Sequence, residues 1–188
     1  AALTLVNPLV APLPSLPQQA SPYFPSSRRY RNPLYLRIEE IPGAADVADV
    51  ERLATEGRAL NAGRRIDRDR VYRLKLAALE ALWPRVGGGA VFDRYVAEAG
   101  PALEEFAIFQ ALAERHGGAG WRAWPSEYHR PDAPGPRRFA GEARERVRFH
   151  QWIQWLIDAQ LARAAAACPV MQDLPIGFDP DGADAWAW

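Results

Sequence analysis

Three aspartates near one end of this sequence, Asp179, Asp181 and Asp184 in FDPDGAD, set carboxylates at the close spacing that a hard cation such as calcium takes. Pro180 interrupts the alternation, and no glutamate stands at the twelfth place to close such a loop with two oxygens, so the run reads as a turn. No metal site follows from it. His116, His129 and His150 share no ligand spacing, and Cys168 is the single cysteine, with no histidine near it in sequence and no nucleophile elbow around it. Glu39-Glu40 and Glu104-Glu105 are adjacent pairs, which a helix or strand points to different sides, so neither supplies two opposed carboxylates. No cofactor-binding motif appears, and no catalytic set can be assembled. What remains is a loop, SPYFPSSRRYRNPLY at 21–35, in which Pro22, Pro25 and Pro33 bias the residues before them away from helix. Such a loop holds a shape and presents Tyr23 to something.

The 188 residues are 48% hydrophobic and 11% aromatic, ample for the packed core of about one domain. Lys plus Arg and Asp plus Glu come to 23 each, so no net field draws in nucleic acid or an anionic membrane, and a neutral partner fits better. No run approaches the ~20 apolar residues of a membrane span. The opening AALTLVNPLVAPL lacks a basic region and is broken by Pro8, Pro12 and Pro14, so it is not read as a signal peptide. One cysteine excludes an internal disulfide and favours a reducing compartment, so the expected location is cytoplasmic.

The elements that must position these residues follow from periodicity. Leu3–Val6 is a short, largely apolar run ended by Asn7-Pro8, expected as a strand buried on both faces. A Pro-rich loop runs to about Pro33, and Leu34–Ile38 is expected as a short edge strand. Asp46–Leu60 is a modest helix, and Asp67 caps a stronger one in which Tyr72, Leu76, Leu79 and Trp83 share a face until Pro84 stops it. Ala90–Ala99 is a further helix, and Pro101 opens another whose buried face is Leu103, Phe106, Ala107, Phe109 and Leu112, with Gly117 as its stop. Trp121–Pro136 reads as a loop. Arg137 to about Ala167 is one helix or two in line, with an apolar stripe of Phe149, Trp152, Ile153, Trp155 and Leu156, before a second short apolar run at PVMQDLPIG. Two buried strands separated by a helical block suggest a βαβ crossover enlarged by an insertion, with function at the strands' C-terminal ends.

Read together, LVNPL, SPYFPSSRRYRNPLYL, FQALAERHGGAGWRAWP, VRFHQWIQWLIDAQL and MQDLPIGFDPDGADAWAW resemble, in order and over nearly the whole chain, the 4-α-glucanotransferases of glycoside hydrolase family 77, also called amylomaltases or disproportionating enzymes. The resemblance implies an α/β fold, a partial TIM (β/α)8 barrel holding about strands 2 and 3 with a large helical insertion, mostly α-helical by content. The expected divisions are 1–40 for barrel strand 2 and the substrate-side Ser-Pro-Tyr loop, 41–136 for the helical insertion, and 137–188 for the long helix, strand 3 and its loop. It implies transfer of α-1,4-glucan units between maltooligosaccharides by a retaining double displacement, whose nucleophile and acid/base carboxylates stand about 5 Å apart. In the family these lie in motifs of the type Arg-Ile-Asp-His on later strands; none is found here, so the chain alone is expected to be inactive, and its unpaired strand edges leave it open to self-association.

By the same resemblance Tyr23 is the aromatic against which a sugar ring stacks, and Asp173 is the carboxylate at the end of strand 3 that accepts from sugar hydroxyls. Ser21 and Ser26 either bond glucan hydroxyls or bond their own backbone. Trp121, Trp124 and Tyr128 either line a groove for a longer glucan or pack between helices. The expected partners are α-1,4-glucans, with no nucleic acid or membrane. The competing readings are a non-catalytic carbohydrate-binding module and a purely structural helical module.

Overall fold

The structure, a computed structural model, describes residues 3–188; Ala1 and Ala2, at the head of the expected 1–40 segment, lie outside the described residues. Strand β1 (Thr4–Val6) ends at Asn7-Pro8, where proline cannot donate to a ladder. The Pro-rich stretch that follows is not a plain loop: β2 (Val10–Ala11) and β3 (Ser27–Arg31) pair antiparallel with a register shift between Val10 and Ala11.

Residues 34–38 are not the expected edge strand. They fold into 3-10 turns at Pro33–Tyr35 and Ile38–Glu40, because side chains from elsewhere satisfy the backbone groups a strand partner would otherwise take. Just before the segment, at the end of β3, Gln154 accepts from the Arg31 amide at 2.8 Å and donates to its carbonyl at 2.9 Å. Gln160 does the same for Arg37, at 2.9 and 2.8 Å. Lys75 Nζ donates to the Leu34 and Leu36 carbonyls, both at 2.6 Å.

The helices follow the sequence more closely. Helix α1 (Ala48–Ala59) runs into a 3-10 turn that ends before Gly63. Helix α2 (Arg68–Val86) is capped by Asp67, whose carboxylate accepts the Arg70 amide at 3.0 Å. It passes Pro84 instead of stopping there, since proline in a last turn forfeits only one ladder bond and the Gly87 amide still reaches the Trp83 carbonyl at 2.9 Å. Gly87 ends it where a Cβ would lie 2.1 Å from the Trp83 ring. Helices α3 (Ala90–Ala99) and α4 (Pro101–Arg115) take the expected bounds, and all five residues of the α4 face are buried. The aromatic loop contains 3-10 turns at Trp121–Ala123 and Ser126–Tyr128. The long helix is two: α5 (Pro134–Glu142) and α6 (Arg144–Ala167), broken at Ala143.

Strand β4 (Val170–Gln172) then pairs parallel with β1, Thr4 opposite Val170 and Val6 opposite Gln172, and a short turn of helix, α7 (Ala183–Trp186), follows. The two strands are thus neighbours, as the crossover reading requires, but they are not buried on both faces. Leu3, Leu5 and Met171 are 56%, 68% and 51% exposed, because no second layer of the described residues covers this pair. No helix among the described residues is long and apolar enough to cross a membrane.

Two apolar clusters fill the interior. One joins α1, α2, α3 and α6 around Leu79, Leu82, Phe92, Phe149 and Trp152. The other joins α4, α5 and α7 around Phe106, Phe109, Trp124, Phe139 and Trp186. Between helices α2, α4 and α6 the Arg146 guanidinium meets Glu80 at 2.8 Å and grips Glu114 at 2.6 and 2.8 Å, while His150 Nε2 lies 3.2 Å from the same Glu114 carboxylate. Burial pushes the Glu114 carboxyl up, but His150 and Arg146 outweigh it and hold the group at about 2, against 4.5 ordinarily. A lowered folded-state value stabilises above the unfolded value and ceases to as pH falls toward the folded one. Stability should therefore decline between pH 4.5 and about 2 by an amount on the order of 3 kcal/mol from this group. Glu114→Gln should remove that contribution at neutral pH and flatten the acid limb of denaturant unfolding; an unchanged slope would detach Glu114 from it.

Candidate functional site

Asp173 is the first residue past β4, and its amide donates to the Val6 carbonyl at 3.0 Å, extending the parallel ladder by one bond. This holds Asp173 at the C-terminal mouth of the strand pair. The Ser-Pro-Tyr loop reaches the same place from the other side. The Tyr23 hydroxyl donates to Asp173 Oδ2 at 2.8 Å, across 150 residues of sequence. That bond, then its slight desolvation and the carboxylate's charge, push the Tyr23 phenol above its ordinary value, so it stays a donor at neutral pH. Tyr23 is 42% exposed, while its hydroxyl is tied to Asp173. The chain neighbours Phe24 and Leu174 are exposed as well, so the mouth is rimmed by apolar surface with a fixed hydroxyl–carboxylate pair in it. Such a surface suits a neutral molecule with one apolar face and several hydroxyls.

Of the other expected site residues, Ser21 accepts the Tyr23 amide at 3.3 Å and so shapes the turn that carries the ring. Ser26 faces inward. It is fully buried, and its hydroxyl accepts the Ala183 amide at 2.9 Å. The structure therefore brings Tyr23 and Asp173 into contact, sets Ser21 beneath Tyr23, and gives Ser26 a place in the support of the loop. Trp124 and Tyr128 pack in the core, with Trp124 Nε1 donating to the Ala119 carbonyl at 2.8 Å; Trp121 is half-buried and donates to the Pro180 carbonyl at 3.1 Å. For Trp124 and Tyr128, packing between helices is what the structure shows.

Asp179 and Asp181 form a turn, Asp179 Oδ1 accepting the Asp181 amide at 2.9 Å, and Asp181 also pairs with Arg122 at 2.8 Å. The run Arg65-Ile66-Asp67-Arg68 lacks the histidine of the Arg-Ile-Asp-His type that the resemblance implies, and its aspartate is the α2 cap described above. Arg28 escaped the sequence reading. Its Nη1 donates to the Ile176 carbonyl at 3.2 Å and its guanidinium lies 5.1 Å from the centre of the Phe178 ring, so it bridges the loops bearing Tyr23 and Asp173. The only sequence signal was its place in the odd SSRR run. A cavity of about 580 Å³ between α1 and α2, lined by Val50, Leu53, Leu74 and Lys75, has no aromatic wall and touches neither Tyr23 nor Asp173.

A family model described as 4-alpha-glucanotransferase matches residues 1–188. The 4-alpha-glucanotransferase of Mycobacterium tuberculosis (strain ATCC 25618 / H37Rv) is 41% identical over 207 residues, which take in 100% of this chain and 28% of the relative. That of Haemophilus influenzae is 28% identical over 212 residues, covering 97% of this chain and 30% of the relative. Among solved structures, amylomaltase from Corynebacterium glutamicum superposes with a TM-score of 0.76 at 31% identity, over 97% of this chain and 26% of that one. Amylomaltase from Streptococcus agalactiae, solved in complex with acarbose, superposes with a TM-score of 0.73 at 17% identity, a likeness of fold. This chain thus spans under a third of the length of these curated relatives.

Proposed function

Because the chain belongs to the 4-alpha-glucanotransferases of glycoside hydrolase family 77, we propose that it supplies part of the donor-sugar site of an enzyme that passes α-1,4-glucan units between maltooligosaccharides. The observation that carries this reading is the 2.8 Å bond from Tyr23 to Asp173 at the mouths of two adjacent parallel strands. Function in a (β/α)8 barrel gathers at that end of the strands, and the parallel pairing of β1 and β4 across the helical block suits two neighbouring staves of one. A glucose ring resting its apolar face on Tyr23 would present hydroxyls to the Asp173 carboxylate beside it, which can accept from two of them at once. Asp173 is thus a binding and orienting group. The covalent step, a retaining double displacement, needs a nucleophilic and an acid carboxylate facing each other across the bond, and residues 1–188 contain no motif for either. In this reading residues 1–188 contribute to holding the sugar, with Tyr23 and Asp173 as the groups that receive it.

The test is titration of the polypeptide that carries this sequence with maltoheptaose. Asp173→Ala should weaken binding about tenfold, because charge-assisted bonds to sugar hydroxyls and to the Tyr23 phenol are lost together. Unaltered affinity would remove Asp173 from the site.

A further inference from the structure

The two residues of the site lie far apart in sequence, yet their meeting depends on one short segment. Residues 173–184 carry Asp173 at one end, and at the other they grip the loop that bears Tyr23. The grip is made of four hydrogen bonds. The Asp179 amide donates to the Pro25 carbonyl at 2.8 Å, the Ala183 amide to the Ser26 hydroxyl at 2.9 Å, the Asp184 amide to the Ser26 carbonyl at 2.9 Å, and the Arg28 amide to Asp184 Oδ2 at 2.8 Å. All four donors are backbone amides, and two of the acceptors are backbone carbonyls that any residue provides. The other two acceptors are side-chain oxygens, the Ser26 hydroxyl and Asp184 Oδ2. The Asp184 side chain is only 12% exposed, with the Arg28 Nε also 3.8 Å away.

The grip is itself anchored. Trp186, two residues on, is buried against Phe109 and donates from Nε1 to the Tyr128 carbonyl at 2.7 Å. Gly182 sits so close to Ser26 that a Cβ there would lie 2.6 Å from its Cα and carbonyl oxygen, which leaves no slack between the two segments. Arg28 closes the frame by donating to the Ile176 carbonyl at 3.2 Å, midway between Asp173 and the grip. Asp173, Asp184, Arg28 and Tyr23 therefore lie around one closed ring of chain and hydrogen bonds, in which the last link is the Tyr23–Asp173 bond.

We infer that Asp184 is a positioning residue: by fixing the Ser26–Arg28 backbone it sets where the Tyr23 ring stands relative to Asp173, and hence how a sugar is received. This rests on the reading of Tyr23 and Asp173 given above. Asp184 touches no substrate, so its effect must pass through Tyr23, and a double-mutant cycle measures that. With maltoheptaose as the probe and calorimetry as the readout, Asp184→Ala should weaken binding about tenfold when Tyr23 is present and change it by less than about twofold when Tyr23 is already alanine. Asp184→Asn keeps an oxygen to accept the Arg28 amide and should recover most of the affinity.

The outcomes separate cleanly. If Tyr23→Ala alone leaves affinity unchanged, the sugar-site reading falls. If Tyr23→Ala weakens binding but Asp184→Ala does not, the positioning role falls and the site stands. Equal losses from Asp184→Ala in both backgrounds also overturn it, since the residue would then act independently of the ring. Should Asp184→Ala not yield folded protein, Asp184→Ser carries the same cycle: it keeps a polar atom at 184 but, one atom shorter, falls short of the Arg28 amide. It should cost severalfold in affinity only when Tyr23 is present, and an equal loss in the Tyr23→Ala background would overturn the positioning role.

Discussion

Replacing Tyr23 by alanine should lower kcat/KM for disproportionation of maltooligosaccharides about hundredfold, measured on the natural polypeptide that carries this sequence. The size follows from losing two things together. The aromatic plane on which the pyranose ring rests is gone, and so is the phenol that holds the Asp173 carboxylate at 2.8 Å. Tyr23→Phe separates them, since it keeps the plane and removes only the hydroxyl; it should cost a small part of that loss, and mostly in KM if the ring is preserved but the carboxylate turns away. The fold should be unaffected by either, because the ring is 42% exposed and contributes to neither apolar cluster. Circular dichroism and thermal unfolding like those of the unsubstituted protein, together with lost transfer, would be the expected pair of results. Full transfer activity in Tyr23→Ala would end the assignment.

The largest effect on stability should come from Trp152→Ala. Trp152 is fully buried near the middle of α6, 5.5 Å from the Trp83 ring and 6.2 Å from that of Phe149, at the centre of the cluster that holds α1, α2 and α6 together. Deleting an indole there removes its transfer free energy and leaves a void that rigid neighbours cannot fill, a cost of about 3–5 kcal/mol in denaturant-derived unfolding free energy. Ile176→Ser, at a residue 97% exposed, should change the same quantity by less than about 0.5 kcal/mol. A Trp152→Ala loss as small as that of Ile176→Ser would mean the cluster collapses around the gap and does not depend on this side chain.

The helices were legible because their signals are local. Apolar residues recurring at helical spacing, Asp67 as a cap and Pro101 at a first helical position each act within a few residues of themselves, and the structure keeps nearly the bounds they imply. The misplaced elements depended on distant partners. Leu34–Ile38 alternates like a strand, but Gln160 from α6 and Lys75 from α2 supply its hydrogen bonds. No pattern within the segment announces that. Residues 10–11 and 27–31 were read as loop because a pair this short, with a register shift, has too few residues for any periodicity to show.

The site divides the same way. Tyr23 and Asp173 were singled out from the sequence because the motifs around them are long, unusual in composition and resemble one family, and the rigid prolines beside Tyr23 already promised a loop with a fixed shape. Whether the two would meet was decided only by the tertiary structure, through the parallel pairing of β1 with β4 and the bonds that fasten residues 25–28 to residues 179–184. The same packing turned Ser26 inward and gave Asp184 and Arg28 work that their types alone did not suggest. The physical reason is range. Propensities, caps and turns are settled by neighbours along the chain, whereas the aim of a side chain 150 residues from its partner is settled by everything folded between them.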